Sequence, residues 1–95
     1  MTASTELVFK DNPDAQRYEA YLAGEQIGIA DYRLRDGKMI IPHTEINPRY
    51  GGNGYGGRMV RFALDDARAK GLRVVPSCPF VGDYIRRNPE YADLL

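Results

Sequence analysis

The sequence predicts an α+β fold: a mixed sheet whose elements run β-β-β-β-α-β-α within one domain over residues 1–95. Three observations predict it. Apolar and polar residues alternate through the first half of the chain, the signature of half-buried strands. A glycine-rich segment follows, and after it the apolar period changes to 3.6. Past Gly71 a short apolar run precedes a second helical segment that starts at a proline.

Each element has its own signal. Glu6 to Lys10 reads as a first strand, closed by the turn chemistry of Asp11-Asn12-Pro13-Asp14. Arg17 to Ala23 alternates, with Tyr18, Ala20 and Leu22 on one face, and Gly24-Glu25 turns the chain. Gln26 to Leu34 alternates again, and Asp36-Gly37 is a hairpin turn because both residues tolerate positive φ. Lys38 to Ile46 is the fourth strand, and Pro42 within it predicts a bulge near Pro42-His43, since proline cannot donate to a ladder. From Tyr55 to Lys70, Met59, Phe62, Ala63 and Ala67 line one side of a helix, widened by Val60 and Leu64. Arg61–Asp65 and Asp66–Lys70 are i,i+4 pairs expected on its wet side. Gly71 stops that helix, Leu72 to Val75 is a short strand, and Pro79 opens a last helix to about Arg87. The β-α-β portion requires a right-handed crossover and a parallel strand pair.

Composition excludes several functions. Ninety-five residues are too few for a dinucleotide-binding pair of halves or a (β/α)₈ barrel. Thirteen basic side chains balance thirteen acidic ones, so no overall field draws nucleic acid or an anionic membrane. One cysteine and one histidine exclude a disulfide framework and argue against a dedicated metal site. No apolar run approaches membrane-spanning length, and Met1 to Glu6 lacks a leader signature, so a cytoplasmic protein is the expectation.

The most informative segment is Gly51-Gly52-Asn53-Gly54-Tyr55-Gly56-Gly57, with five glycines in seven positions directly before a helix. Glycine lets backbone approach a ligand closely, and a helix start offers unpaired N–H groups to phosphate oxygens. Diphosphate binding is the physical reading. The dinucleotide fingerprint G-x-G-x-x-G is met literally, yet Asn47 to Tyr50 separate it from its strand and Leu72 to Phe80 hold no acid. A Walker loop would need lysine where Arg58 follows Gly57.

Four antiparallel strands, a glycine loop, a helix, a strand and a helix resemble the GNAT superfamily of N-acetyltransferases. Its coenzyme A loop has the pattern Gln/Arg-x-x-Gly-x-Gly/Ala. Arg49 with Gly52 and Gly54 fits it literally; Gly51 with Gly54 and Gly56 fits better with the helix that follows, without the usual first Arg or Gln. His43-Thr44-Glu45-Ile46, the loop, Pro76-Ser77-Cys78-Pro79-Phe80-Val81 and Tyr84-Ile85 to Asn88-Pro89-Glu90-Tyr91 resemble the small, truncated branch of that superfamily.

The resemblance implies acetyl-CoA as acyl donor, with strands four and five splayed around the pantetheine arm. Glu45 and Ile46 would offer main-chain groups to that arm. Gly51, Gly52, Asn53, Gly54, Tyr55 and Gly56 would wrap the pyrophosphate. It places Cys78 beside the thioester, either taking the acetyl group or contacting the cofactor thiol. A helix start also favours the thiolate there. His43 and Glu45 share a strand face, and either could accept the proton of an acceptor ammonium. Tyr84 matches a tyrosine that protonates the departing thiolate. Arg86 and Arg87 would meet the ribose phosphate or form a solvated helix end. The expected function is acetyl transfer to a primary amine on a small molecule or a protein. The alternative is a non-catalytic coenzyme A-binding or interaction module. Nothing in the sequence selects the acceptor or an oligomeric state.

Overall fold

The first half of the chain folds as successive hairpins because its turns fall where positive φ is needed. In the computed structural model, which describes residues 6–95, β1 (Leu7–Asn12), β2 (Arg17–Leu22), β3 (Glu25–Arg35) and β4 (Lys38–Ile46) pair antiparallel in chain order. The segment 1–5, where no leader signature is expected, lies outside the described residues. Asp36 and Gly37 at the β3–β4 turn have φ of 53° and 75°, the left-handed pair that a two-residue hairpin requires. A 3-10 turn, Pro48–Tyr50, carries the chain from β4 to the glycine loop. There follow α1 (Tyr55–Ala69), β5 (Arg73–Val75), α2 (Pro79–Arg87) and a closing 3-10 helix, Pro89–Leu94, that the sequence reading did not foresee. β5 pairs parallel to β4, so the sheet is mixed, as expected.

Two boundaries and one ion pair differ from the sequence reading for a clear physical reason. Asp11 and Asn12 belong to β1 rather than to the turn, because their side chains are used within the sheet. Asp11 accepts from Tyr32 and Lys70, and the Asn12 amide donates to Glu19. β5 starts at Arg73, since Leu72 N–H is still spent on the end of α1, at Ala67 O. Asp66 and Lys70 form the expected i,i+4 pair with Lys70 exposed, but Asp66 is half-buried against the sheet. Asp66 accepts from the buried Tyr18 hydroxyl at 2.7 Å, and Lys70 bridges Asp66 and Asp11 at 2.7 and 2.8 Å. Burial first, and then this bond, raise the Tyr18 hydroxyl far above the ordinary phenol range.

The helices lie on one face of the sheet. Met59, Val60, Ala63, Leu64 and Ala67 of α1 are buried against Tyr18, Ala20, Ala30 and Met39. Burying each larger side chain stabilises the fold by roughly 1.5–3 kcal/mol. Phe62 joins the margin of this core through Phe9 and the edge of Tyr18, at ring separations of 5.4 and 5.8 Å. The opposite face carries Arg17, Glu19, Tyr21, Asp31, His43 and Glu45.

The bulge predicted at Pro42 is present. Asp31 pairs with His43 and Arg33 with Ile40, so Ile41 and Pro42 together oppose Tyr32. The extra residue reverses the alternation. Met39 and Ile41 point into the core before it; Thr44 and Ile46 do so after it, while His43 and Glu45 turn to the exposed face.

On that face Glu19 is buried to 5% exposure, yet it is fully partnered. Tyr21, Arg17 and Asn12 donate to it at 2.7, 2.8 and 3.0 Å and, in that order of importance, hold its carboxyl down to about 2. A depressed folded-state value stabilises above the unfolded value and is lost as pH falls toward the folded one. Glu19→Gln is therefore expected to lower stability at pH 7, with the difference shrinking as pH falls from about 4.5 to 2. Urea midpoints of both proteins across that range would check it; a pH-independent difference would place the effect elsewhere.

Candidate functional site

Two prolines and a run of glycines open the cavity. β4 and β5 pair only from Lys38/Arg73 to Ile40/Val75. Pro76 has no N–H to continue the ladder, and the chain leaves the sheet there. Main-chain bonding to β4 resumes where Cys78 N–H donates to Ile41 O at 2.9 Å. Pro79 then starts α2 at its first helical position. The parted strands, the glycine loop and the first turn of α2 enclose a cavity of about 500 Å³.

The loop's conformation needs glycine at two places. Gly52 and Gly54 have φ of 81° and 75°, and an added Cβ at either would meet nothing, so backbone strain rather than crowding excludes larger residues there. Gly54 also occupies the N-cap of α1, where no side chain caps the helix. The first-turn N–H groups thus remain for an outside acceptor. Gly56 is small for a different reason: a Cβ there would stand 3.1 Å from the Phe80 ring.

Polar side chains before and within the loop hold it. Asn47 caps the 3-10 turn by accepting from Arg49 N at 3.0 Å, Asn53 donates to Tyr50 O at 2.9 Å, and the Tyr50 hydroxyl donates to Glu25 at 2.7 Å. Asn53 therefore spends its amide on the loop itself and does not line the cavity, whereas Gly51, Gly52, Gly54, Tyr55 and Gly56 do.

Cys78 lies in this cavity at 8% exposure. Burial is the largest influence on its thiol and opposes ionisation. The Thr44 hydroxyl, 3.4 Å away, and the main-chain N–H groups of Phe80, Val81 and Thr44 outweigh it, so the thiol sits below the ordinary range. Ile46 and Glu45 also border the cavity. The Glu45 carbonyl nevertheless lies toward β3, 2.8 Å from where a Cβ on Gly28 would stand, and of the β4 main-chain N–H groups it is Thr44's that is aimed at the sulfur.

His43 does not border the cavity. Its Nε2 stands 3.2 Å from Glu45 Oε1 on the exposed face, with both side chains more than half exposed. Glu45 also borders a second cavity of about 430 Å³ on that face, with Arg17, Gln26 and Ile29. Tyr84 lines a third cavity of about 320 Å³ with Asp83 and Arg87; it shares Gly54, Gly57 and Phe80 with the first. Burial raises the Tyr84 hydroxyl. Arg86 is taken up by Asp83, so of the two terminal arginines it is Arg87 that borders a cavity.

Sequence reasoning gave no role to Thr44, Tyr50 or Phe80. Thr44 was legible in principle, because a bulge at Pro42 reverses the alternation after it. Phe80, 46% exposed on the first turn of a helix, is an apolar ring left in solvent at the cavity mouth. Tyr50 carries no local signal, since its partner Glu25 is remote in sequence.

Comparison with known proteins agrees with this architecture. Residues 17–94 match the family described as GCN5-related N-acetyl-transferase. The fold is similar to the solution structure of a GCN5-like protein from Staphylococcus aureus, at 20% identity and a TM-score of 0.70, covering 98% of this chain and 89% of that one. No curated protein matches the sequence.

The environment of Cys78 makes its reactivity depend on Thr44. Thr44→Val removes the hydroxyl and keeps the shape, so the thiol is expected to titrate higher and to react more slowly with iodoacetamide at pH 7. The pH profile of alkylation checks this; superimposable profiles would show that the hydroxyl does not hold the thiolate.

Proposed function

Because the chain belongs to the GCN5-related N-acetyltransferase family, and is thereby an acetyltransferase, we propose that it takes its acetyl group from acetyl-CoA and delivers it to a primary amine. The observation that carries this reading is the single cavity joining a glycine-lined helix start to the Cys78 thiol. A donor with a diphosphate at one end and a thioester at the other matches that length of contrasting chemistry. The residues fit such a donor. Gly51, Gly52 and Gly54 present backbone without Cβ atoms, and the uncapped start of α1 offers N–H groups and a partial positive charge to phosphate oxygens. The guanidinium groups of Arg49, Arg58 and Arg87 have no carboxylate partner among the described residues, and Arg87 borders the adjoining cavity, where it would meet a further phosphate.

We assign Cys78 as the first acetyl acceptor. Its thiolate attacks the thioester carbonyl; the new C–S bond forms as the old one breaks, and the coenzyme leaves as a thiolate that takes its proton from solvent. The Thr44 N–H, already directed at this point, would stabilise charge on the carbonyl oxygen. The amine then attacks the acetyl-cysteine and releases the thiolate. Glu45 and His43, on the far side of β4, would accept the ammonium proton of an acceptor arriving from that face. Tyr84 shares Gly54, Gly57 and Phe80 with the cavity but does not border it beside Cys78, so we place it against the outer part of the donor. The alternative of a binding module without catalysis leaves the activated thiol unused.

Two measurements test the reading. Gly54→Val forces a β-branched residue to φ near 75° in the cavity wall, and calorimetry is expected to show coenzyme A affinity reduced at least about tenfold. Unchanged affinity would remove the loop from the site. Incubation with acetyl-CoA followed by intact-mass measurement is expected to show one added acetyl group, absent from Cys78→Ser. A serine variant that retains full turnover with no adduct on the parent would instead establish direct transfer.

A further inference from the structure

Across β3, β4 and β5, at the end of the sheet away from the cavity, three cations stand in one row. Arg35 pairs with Lys38, and Lys38 pairs with Arg73. Directly paired residues share a face, with Cβ atoms about 4.5–5.5 Å apart, and like charges so placed destabilise a sheet. Arg33, two residues before Arg35 on the same strand, adds a fourth cation to that face. All four are exposed.

Elsewhere among the described residues several cations meet carboxylates, although Arg49, Arg58 and Arg87 do not. Arg17 meets Glu19, Arg68 meets Asp93, Lys70 meets both Asp11 and Asp66, and Arg86 meets Asp83. Among the described residues no aspartate or glutamate side chain lies within ion-pair distance of Arg33, Arg35, Lys38 or Arg73, Asp36 of the intervening turn included. Arg73 reaches Leu95 O, an oxygen of the last residue's α-carboxylate, at 2.6 Å and the main-chain Asp93 O at 3.5 Å, so Arg33, Arg35 and Lys38 carry the uncompensated charge. A cavity of about 320 Å³ opens beside the row, lined in part by Arg33, Arg35 and Ile40.

We propose that this end of the sheet docks an acidic polypeptide segment whose carboxylates complete the row. An extended segment places alternate side chains about 6.6–6.8 Å apart, the same interval that separates Arg33 from Arg35. Guanidinium forks take carboxylates two-pronged. Ile40 and Val75, paired with each other in the next row, offer apolar surface to the aliphatic parts of such a segment. Single-stranded nucleic acid binds through rings on which its bases stack, and no aromatic residue stands in the row or lines the cavity. The surface is separate from the acetyl-transfer site: Lys38 and Glu45 lie seven residues apart on β4, roughly 23 Å along an extended strand. Docking here does not depend on the identity of the acyl donor.

The decisive variant is Lys38→Glu. It converts two like-charge pairs into opposite pairs, so it is expected to raise the melting temperature by about 2–5 °C while weakening docking. The probe is a fluorescein-labelled octapeptide of alternating glutamate and valine, followed by anisotropy at low and at physiological salt. Saturable binding that falls with salt, is absent for the glutamine-for-glutamate peptide and drops at least about tenfold in Lys38→Glu supports the proposal. It is overturned if the parent does not bind the probe, if the glutamine peptide binds equally, or if Lys38→Glu binds as the parent does. It is equally overturned if a twelve-nucleotide single strand or phosphatidylserine vesicles bind more tightly than the peptide.

Discussion

One extra residue in β4 governs the geometry of the site. A strand with regular pleating through Pro42 would carry Met39, Ile41, His43 and Glu45 on one face. The first two are in the core, so His43 and Glu45 would follow them inward and close the space beside Cys78. The bulge at Ile41-Pro42 reverses the alternation, bringing Thr44 and Ile46 inward and sending the charged pair to the exposed face. Proline is suited to that position because it has no N–H to leave unsatisfied. The bulge also falls next to where pairing with β5 ends, and Pro76 ends that pairing from the other strand. The cavity therefore owes its opening to two prolines on neighbouring strands.

A cavity walled by glycine needs its shape imposed from outside. Gly51, Gly52 and Gly54 have no side chains to fix their own dihedral angles, and Gly54 leaves α1 uncapped. The restraint comes from the 3-10 turn before them, anchored by Asn47, by Asn53 and, across the sheet edge, by the bond from Tyr50 to Glu25. At the far end of α1, the cluster of Tyr18, Asp66, Lys70, Asp11 and Tyr32 ties the helix to three strands. Hydrogen bonds donated to the two aspartates raise the Lys70 ammonium well above its ordinary value, and burial with the Asp11 bond pushes the Tyr32 hydroxyl up to about 12. Both groups thus keep their protons at neutral pH. The helix that presents its start to the cavity is held by its other end.

The two faces of the sheet have different duties. The face under the helices is apolar and satisfied, and among the described residues no buried side-chain polar atom lacks a partner. The other face is charged and carries the Glu19 cluster, the His43–Glu45 pair and the cation row. Glu19 shows how a carboxylate can be buried on an open face when three donors surround it. The cation row shows the opposite arrangement, with Arg33, Arg35 and Lys38 left exposed and without a carboxylate side chain among the described residues.

The order of the strands and main helices, both ends of β4, the start of α2 and the bulge were all legible in the sequence, because each rests on a local rule. Alternation marks strands, Asp36-Gly37 marks a tight turn, Pro79 opens a helix, and Pro42 interrupts a ladder. The glycine loop and Cys78 were legible as site residues for the same reason: helix-start chemistry is local. What the tertiary structure decided is which side chains meet. Asp11 and Asn12 look like turn residues until Tyr32, Lys70 and Glu19 claim them from other strands and from α1. The 42–43 break could be read from one proline, but the side to which His43 then turns depends on how many residues of β4 oppose Tyr32. Thr44 reaches Cys78 across 34 positions, and Tyr50 reaches Glu25 across 25. Dihedral preferences and apolar period act over a few neighbouring residues, so the sequence by itself determined the elements and the chemistry of the loop. Register and crossover bring distant residues together, so only the folded chain decided that the threonine, rather than the histidine, stands at the thiol.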